Sequence, residues 1–395
     1  MKLFNISKLS SYILYKNNHV SNIYEACTCC YDNTKSLSYL DKKKYIKKRI
    51  DSGHESILEH GRLAIKISNI PNASLITELT TLEYSRYLEF YCIHKENNEY
   101  NLIINGNMRS YKYFFTNTTV NDYERNILIR HIHSILISNT VGELYGTKFK
   151  MYDEIPPFVD IEYLFDENKD IINKSFTGIQ YNTIIESNVD FVATTNKESV
   201  KKIKLGVDVN YCYGSTCSLT KDIDITVDML LNIIPVTILF ENMSRTATHQ
   251  LVRHRNAITQ ESQRYVDYKD SSFTIPVPGY DSNKKYNITL FGQTKEVNLS
   301  ELAIELMSVY EQLTKAGLKK EEARAYLPSN VNCRRLYMTF TLSNLFAFLK
   351  LRTDSHAQFE IRQYANTINN IIDTDENLYE ISLLKNYYNK TLTTI

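Results

Sequence analysis

The chain has 395 residues, is 43% hydrophobic and carries a formal net charge of +1. That length leaves room for one large domain or two to three small ones with a sizeable core. The near-zero charge supplies no overall field to draw the protein onto DNA, RNA or an anionic membrane, so any dense group of arginines is local and points to a site. Seven cysteines, three of them crowded as Cys27, Cys29 and Cys30, lack the paired C-x₂-C spacing of a zinc site and read as reduced thiols. With no charged-then-apolar leader and no apolar run of about 18 residues, the expectation is a soluble, cytoplasmic protein that binds neither membrane nor nucleic acid.

In chain order, the first notable stretch is GHESILEH (53–60). Ser56 and Glu59 have capping-box spacing, so helix initiation is one reading. His54 and His60 are six apart, which is not the pair of an H-E-x-x-H zinc motif. RLAIKIS (62–68) alternates as a half-buried strand, and NASLITELTTLEYSRY (72–87) reads as a helix after it. NMRSYKYFF (107–115) begins another helical pattern, and a polar region near 165–205 reads as a junction. PVTILFENMS (235–244) is a second alternating strand, followed by helical RTATHQLVRHR (245–255) and, later, SNLFAFLKLR (343–352). The order strand, helix, second helix thus occurs twice, which suggests an internal duplication.

The densest chemistry lies in HQLVRHRNAITQESQRY (249–265). On a helix Gln250 shares a face with Arg253 and His254, while consecutive Arg253, His254 and Arg255 fan out towards different neighbours. Cations at a helix C-terminus also suit the dipole, so capping accounts for part of the cluster. Beyond it come Gln260, Glu261, Ser262, Gln263 and Arg264. A hydroxyl and a guanidinium fork are phosphate-binding equipment, and a carboxylate beside them is what a nucleic-acid surface avoids. In FLKLRTDSHAQFEIRQ (348–363), Arg352 and His356 are four apart on one helical face; taken alone, this stretch reads as a solvated helix with ion pairs. EEARAYLP (321–328) places Arg324 shortly before a proline and taken alone says little.

Together these stretches resemble a known family. RHR, a short spacer and Q-E-S-x-R-Y resemble the signature of flavin-dependent thymidylate synthases. GHESILEH resembles that family's upstream G-H-x-S-x-x-E-H motif, and EEARAYLP and LRTDSHAQFEIRQYA resemble its two C-terminal motifs. The resemblance implies an α+β fold, a mixed sheet flanked by long helices, here in tandem duplication. A shortened first copy would span 1–145, a junction 146–205 and a second copy 206–395. It implies methylation of dUMP to dTMP, with methylenetetrahydrofolate as one-carbon donor and FAD, reduced by NADPH, as hydride source. Family members are homotetramers whose sites are assembled from several subunits. Related readings are a flavoenzyme that hydroxymethylates dUMP and a non-catalytic nucleotide- or RNA-binding protein.

The resemblance also distributes roles. The first copy keeps GHESILEH and Asn107-Met108-Arg109, but has Thr80, Thr81 and Leu82 where RHR is expected. The second copy has TVDMLLNI (226–233) where GHESILEH is expected, and Thr341 and Ser343 in place of N-x-R, yet it keeps RHR, QESQRY, Arg324 and Arg352. These complementary losses imply a covalent half-tetramer that pairs into a homodimeric pseudo-tetramer. Arg253, His254, Arg255 and His356, with Ser56, Glu59, Asn107 and Arg109 from the other side, would hold flavin. Ser262, Arg264 and Arg324 would grip the dUMP phosphate, with Gln250, Gln260, Glu261 and Gln263 nearby. Arg352 would face the uracil and polarise it. The spacer from RHR to the serine is one residue shorter than the family's, so either Gln260 or Glu261 takes the acidic position beside the nucleotide.

Overall fold

The computed structural model describes residues 10–16, 19–31, 37–70, 88–94, 100–117, 161–163, 174–176, 189–194, 231–269, 271–374 and 378–392. Its first part comprises β1 (Ser10–Lys16), α1 (His19–Tyr31), α2 (Tyr39–Asp51), a 3₁₀ turn (Glu55–His60), β2 (Arg62–Ile70), β3 (Glu89–His94), β4 (Tyr100–Asn107) and α3 (Met108–Asn117). With β5 (Ile161–Tyr163) the strands form a sheet of order β3-β4-β2-β1-β5. The second part begins with β6 (Lys174–Phe176), β7 (Val189–Thr194) and β8 (Pro235–Ser244), then α4 (Arg245–Leu251) and β9 (Ala257–Gln260). A hairpin, β10 (Tyr286–Leu290) and β11 (Gln293–Val297), leads to α5 (Leu299–Lys315) and α6 (Lys320–Ala323). The chain then runs through β12 (Asn332–Thr341), α7 (Leu342–Arg352), α8 (Phe359–Thr374) and α9 (Tyr379–Leu392). The second sheet has the order β6-β7-β8-β12-β9.

The stretches at 62–68 and 235–244 are strands, the latter with the expected bounds but covered on both faces rather than half-buried, and helices begin at Met108 and Leu342 as their patterns require. The helix expected at 72–87 lies outside the described residues, as does most of the junction expected at 146–205. Four strands of each sheet follow one scheme: β1-β2-β4-β3 and β7-β8-β12-β9, antiparallel at every step. The outer strands differ, since β5 is parallel to β1 and β6 antiparallel to β7. β4 and β12 each run directly into a helix that is capped from the strand's last residue. Asn107 Oδ1 accepts from Ser110 N at 2.9 Å, and Thr341 Oγ1 from Asn344 N at 3.4 Å.

The period of two on β8 and β12 divides the core. Val236, Ile238 and Phe240, with Leu336, Met338 and Phe340, pack under Leu345, Phe346 and Leu349 of α7 and Ile361, Ile368 and Ile372 of α8. On the opposite face Leu239 and Tyr337 are covered by Ala26 and Cys29 of α1. The first part of the chain therefore roofs the second sheet. Each apolar side chain buried this way contributes roughly 1.5–3 kcal/mol.

His60, the last residue of GHESILEH, is the polar centre of that roof. It is fully buried, with Nδ1 2.9 Å from Thr339 Oγ1 and Nε2 3.0 Å from Thr259 Oγ1. Thr339 in turn lies 2.8 Å from Thr237 Oγ1. Both ring nitrogens are thus satisfied by strands β9 and β12, in an environment that favours the neutral ring. Burial depresses its pKa to about 3. Among the described residues no helix is long and apolar enough to cross a membrane.

The His60 contact yields an acid-stability test. The folded pKa lies below the unfolded value of about 6.5, so stability is complete above pH ~6.5 and falls as the pH drops towards 3. Urea unfolding of wild type should lose up to about 1.4 kcal/mol per pH unit more than His60→Phe across that window. At neutral pH, His60→Ala should cost about 2–4 kcal/mol, since it leaves a cavity and two buried hydroxyls short of a partner.

Candidate functional site

Ser244 ends β8 and caps α4, accepting from Ala247 N at 3.1 Å. The helix lasts seven residues, tightens into a 3₁₀ turn at Val252–His254 and stops at Arg255, which is left-handed at φ 51°, ψ 40°. Such a conformation costs a non-glycine residue about 1–2 kcal/mol. It splays the cluster: Arg253 and Arg255 are exposed, while His254 turns inward and meets the edge of Phe348 at 5.0 Å. The fanning expected from the sequence is what the backbone does.

Arg352 closes this corner from the last residue of α7. Its Nε donates to His254 Nε2 at 3.0 Å and its Nη1 to Gln250 Oε1 at 3.5 Å. Gln250 and His254 share a face, as their spacing requires, and both are turned to Arg352. A nitrogen that accepts from a guanidinium belongs to a neutral ring. Burial and then the Arg352 charge hold the His254 pKa down at about 4.

The face expected to join Arg352 and His356 does not form. α7 ends at Arg352 and α8 begins at Phe359. Between them Asp354 Oδ1 accepts the His356 backbone N–H at 2.8 Å, an Asx turn that competes with helix. His356 is 95% exposed and pairs with Asp354 at 2.8 Å. The reading of 348–363 as a solvated helix also fails at Glu360. This carboxylate is buried and accepts from Ser244 N at 2.7 Å and Ser244 Oγ at 2.5 Å, anchoring the start of α4.

The second segment follows β9. Glu261 is only 2% exposed. Its Oε2 accepts from Arg334 N at 2.9 Å, Arg334 Nε lies 3.6 Å from Oε1, and its backbone carbonyl accepts from Arg245 Nη2 at 2.7 Å. Burial raises its pKa against these cations. The Glu261 carboxylate therefore lies beneath the loop, and Gln260 is only partly covered. Ser262 N donates to Cys30 O at 3.3 Å, and Ser262 Oγ accepts from Arg264 N at 3.2 Å. Arg264 donates through Nε and Nη2 to Glu321 Oε2 at 3.2 and 3.0 Å, and Arg324 Nε donates to Glu321 O at 3.2 Å. Two exposed arginines from separate segments thus converge on one residue, while Gln263, just before Arg264, is half-buried.

The first part of the chain contributes its own cluster. Arg109 Nη1 donates to Glu59 Oε1 at 2.5 Å and Nη2 to Tyr113 OH at 3.3 Å, while Arg109 Nε is buried without a hydrogen-bond partner. The Asn107 carbonyl oxygen is committed to its cap. Ser56 is exposed and does not start a helix; the capping position is His54, with no side-chain bond. Gly61 joins GHESILEH to the Asn107–Arg109 turn, because its carbonyl accepts from Met108 N at 2.9 Å. A β-carbon at Gly61 would lie 2.7 Å from Met108 Sδ and 3.0 Å from Ile23 Cδ1, so a larger residue here would require both side chains to shift.

An aromatic corner joins the two parts. Tyr31 OH lies 2.6 Å from His54 Nδ1, the Tyr31 ring is 5.3 Å from that of Tyr265, and the Arg49 guanidinium sits 4.1 Å over Tyr31. Sequence reasoning passed over Tyr31, Arg49 and Arg334, whose partners are remote in the chain. Arg245 carried a usable signal, since a cation in the first turn of a helix opposes the dipole and needs a special partner; Tyr268 OH and the Glu261 carbonyl provide it.

Comparison with known proteins bears on this geometry. Residues 227–374 match the family described as thymidylate synthase complementing protein. The matched stretch runs from just before β8 to the end of α8, and holds every candidate residue of the second part and none of the first. A flavin-dependent thymidylate synthase of Thermococcus onnurineus is 39% identical over 133 residues, covering 33% of this chain and 51% of its own. Proteins of the same name from Pyrococcus furiosus (38% over 132 residues, 33% and 50%) and Mycobacterium bovis (33% over 137 residues, 33% and 54%) align similarly. The chain spans about half the length of the curated relatives it matches.

Within the matched stretch, the His254–Arg352 contact is testable alone. An NMR titration of wild type should place the His254 pKa near 4. Arg352→Ala should move it upward but not to the ordinary value, because burial is the larger cause and remains. A wild-type value near 6.5 would contradict the buried, guanidinium-facing ring.

Proposed function

We propose that the protein is a flavin-dependent thymidylate synthase that methylates dUMP to dTMP with methylenetetrahydrofolate and NADPH. The observation that carries this reading is the convergence of Gln250, His254 and Arg352 beside the exposed Arg253 and Arg255, inside the stretch that matches proteins named for that activity.

The residues present suit a flavin. Arg253 and Arg255 are exposed and, among the described residues, form no ion pair, and the buried Arg109 Nε lacks a partner. Arg253, His254 and Arg255 would hold the anionic ring edge and diphosphate of FAD by fixed charges and dipoles. Ser56, Glu59, Asn107 and Arg109 would hold it from the other side. When bound, the reduced flavin supplies the hydride. Arg264 and Arg324 grip the dUMP phosphate, which takes the place of the Glu321 carboxylate, and Ser262 adds its hydroxyl. Arg352, fixed by a neutral His254, keeps a free donor edge for the uracil and draws charge towards its carbonyl, which favours attack from C5. Gln250, Gln260 and Gln263 complete the nucleotide pocket, Glu261 bears on it through the loop it anchors, and exposed His356 meets flavin or folate.

The same reading treats the chain as two joined copies, 1–145 and 206–395 about a junction at 146–205, pairing into a homodimer. The shared strand scheme of the two sheets and the twin caps at Asn107 and Thr341 support it.

Purified protein should carry the visible absorbance of oxidised flavin. Ser56→Ala or Arg109→Ala should weaken flavin binding, and Arg264→Ala or Arg324→Ala dUMP binding, each by about tenfold, roughly 1.4 kcal/mol. Equilibrium titration of each ligand distinguishes the two classes. If the first-part changes leave both ligands untouched, the site is not composite. Glu321→Gln should tighten dUMP binding, since it removes the resident competitor for Arg264.

A further inference from the structure

α2 concentrates positive charge that the site described above does not use. Its 13 residues include Lys42, Lys43, Lys44, Lys47, Lys48 and Arg49 against Asp41 and Asp51, in a chain whose net charge is +1. Ile46 and Ile50 are buried, and helical spacing sets Lys44 with Lys48 on the opposite, outward side, with Lys47 on its flank. Lys44, Lys47 and Lys48 are exposed, and the Lys44–Asp41 pair, at 3.7 Å, is largely in solvent. Like charges four residues apart weaken a helix by a few tenths of a kcal/mol per pair, so this pattern does not serve the helix.

The lysine face continues into the aromatic corner. Lys42 Nζ lies 5.1 Å over the Tyr24 ring, and Arg49 lies over Tyr31 and Tyr45 at 4.1 and 5.0 Å. Tyr31 then reaches His54 and Tyr265, next to Ser262 and Arg264. At 1.5 Å rise per residue, Lys44 is only about 8 Å along the axis from Arg49. Around the helix, Arg49, Tyr45 and Lys48 follow one another from the corner to the outward side.

We propose that the outward face of α2 binds the oligo-γ-glutamyl tail of the folate co-substrate, lysines against successive carboxylates. The proposal rests on the folate-dependent reading above. The patch is confined to one helix of about 20 Å, is bounded by Asp41, Asp51 and Glu55, and sits in a chain without a wider basic field. Those limits suit a short polycarboxylate tethered in the site better than a nucleic acid, which needs a longer basic track, or a membrane, which needs an apolar face to insert.

The experiment measures dissociation constants of folate monoglutamate and folate pentaglutamate for the full chain and for a Lys44→Gln/Lys47→Gln/Lys48→Gln variant. Wild type should bind the pentaglutamate about tenfold more tightly, less so as salt rises. The variant should bind both forms with the wild-type monoglutamate affinity, and its unchanged circular dichroism should show an intact fold. Equal wild-type affinity for the two forms, or a preference that persists in the variant, overturns the proposal. So does a variant that loses oligouridylate or phosphatidylserine vesicles while keeping its pentaglutamate preference. If neither folate binds, the folate-dependent reading itself fails and takes this proposal with it.

Discussion

The buried imidazole of His60, held between Thr259 and Thr339, is the contact on which the arrangement depends. A polar group in a dry interior is tolerated only when its hydrogen bonds are met. Here both partners come from the far part of the chain, so the ring is satisfied only when GHESILEH lies against β9 and β12. That placement carries Glu59 and the Arg109 turn with it through Gly61, and sets α1 on the sheet face where Cys30 meets Ser262. The apolar roof of Ala26 and Cys29 supplies binding energy, while the imidazole specifies the register.

The second organising principle is the separation of committed from uncommitted cations. Buried Arg245 and partly exposed Arg334 are spent on Glu261 and its loop. Arg352 is spent on aligning His254. Arg253 and Arg255 are left facing solvent by a left-handed residue that a relaxed helix would not contain. Strain of that kind at a cluster of like charges is a mark of function more than of stability. The buried carboxylate of Glu360 under Ser244 fixes the start of the same short helix, so its two ends are governed by different parts of the chain.

Much of this was legible in the sequence where the signal is local. The alternation of PVTILFENMS gives a strand with its bounds, and the spacing of Gln250 and His254 gives their common face. Legibility stopped where side chains compete with the backbone or where partners are remote. The periodicity across Arg352 and His356 is helical, but the Asp354 side chain caps the intervening turn and breaks it. Ser56 and Glu59 have the spacing of a capping box, yet six residues wedged between α2 and β2 tighten into a 3₁₀ turn instead. Glu261 reads as a carboxylate beside the nucleotide and Glu360 as part of a solvated helix, and only the fold reveals the backbone N–H groups that let both stay inside.

The contacts of His60 with Thr259 and of Cys30 with Ser262 are intramolecular. Their formation is governed by an effective concentration that the connecting chain sets, whatever the amount of protein in solution. The aromatic corner and the serine loop beside it should therefore survive dilution to levels at which contacts between separate molecules would dissociate.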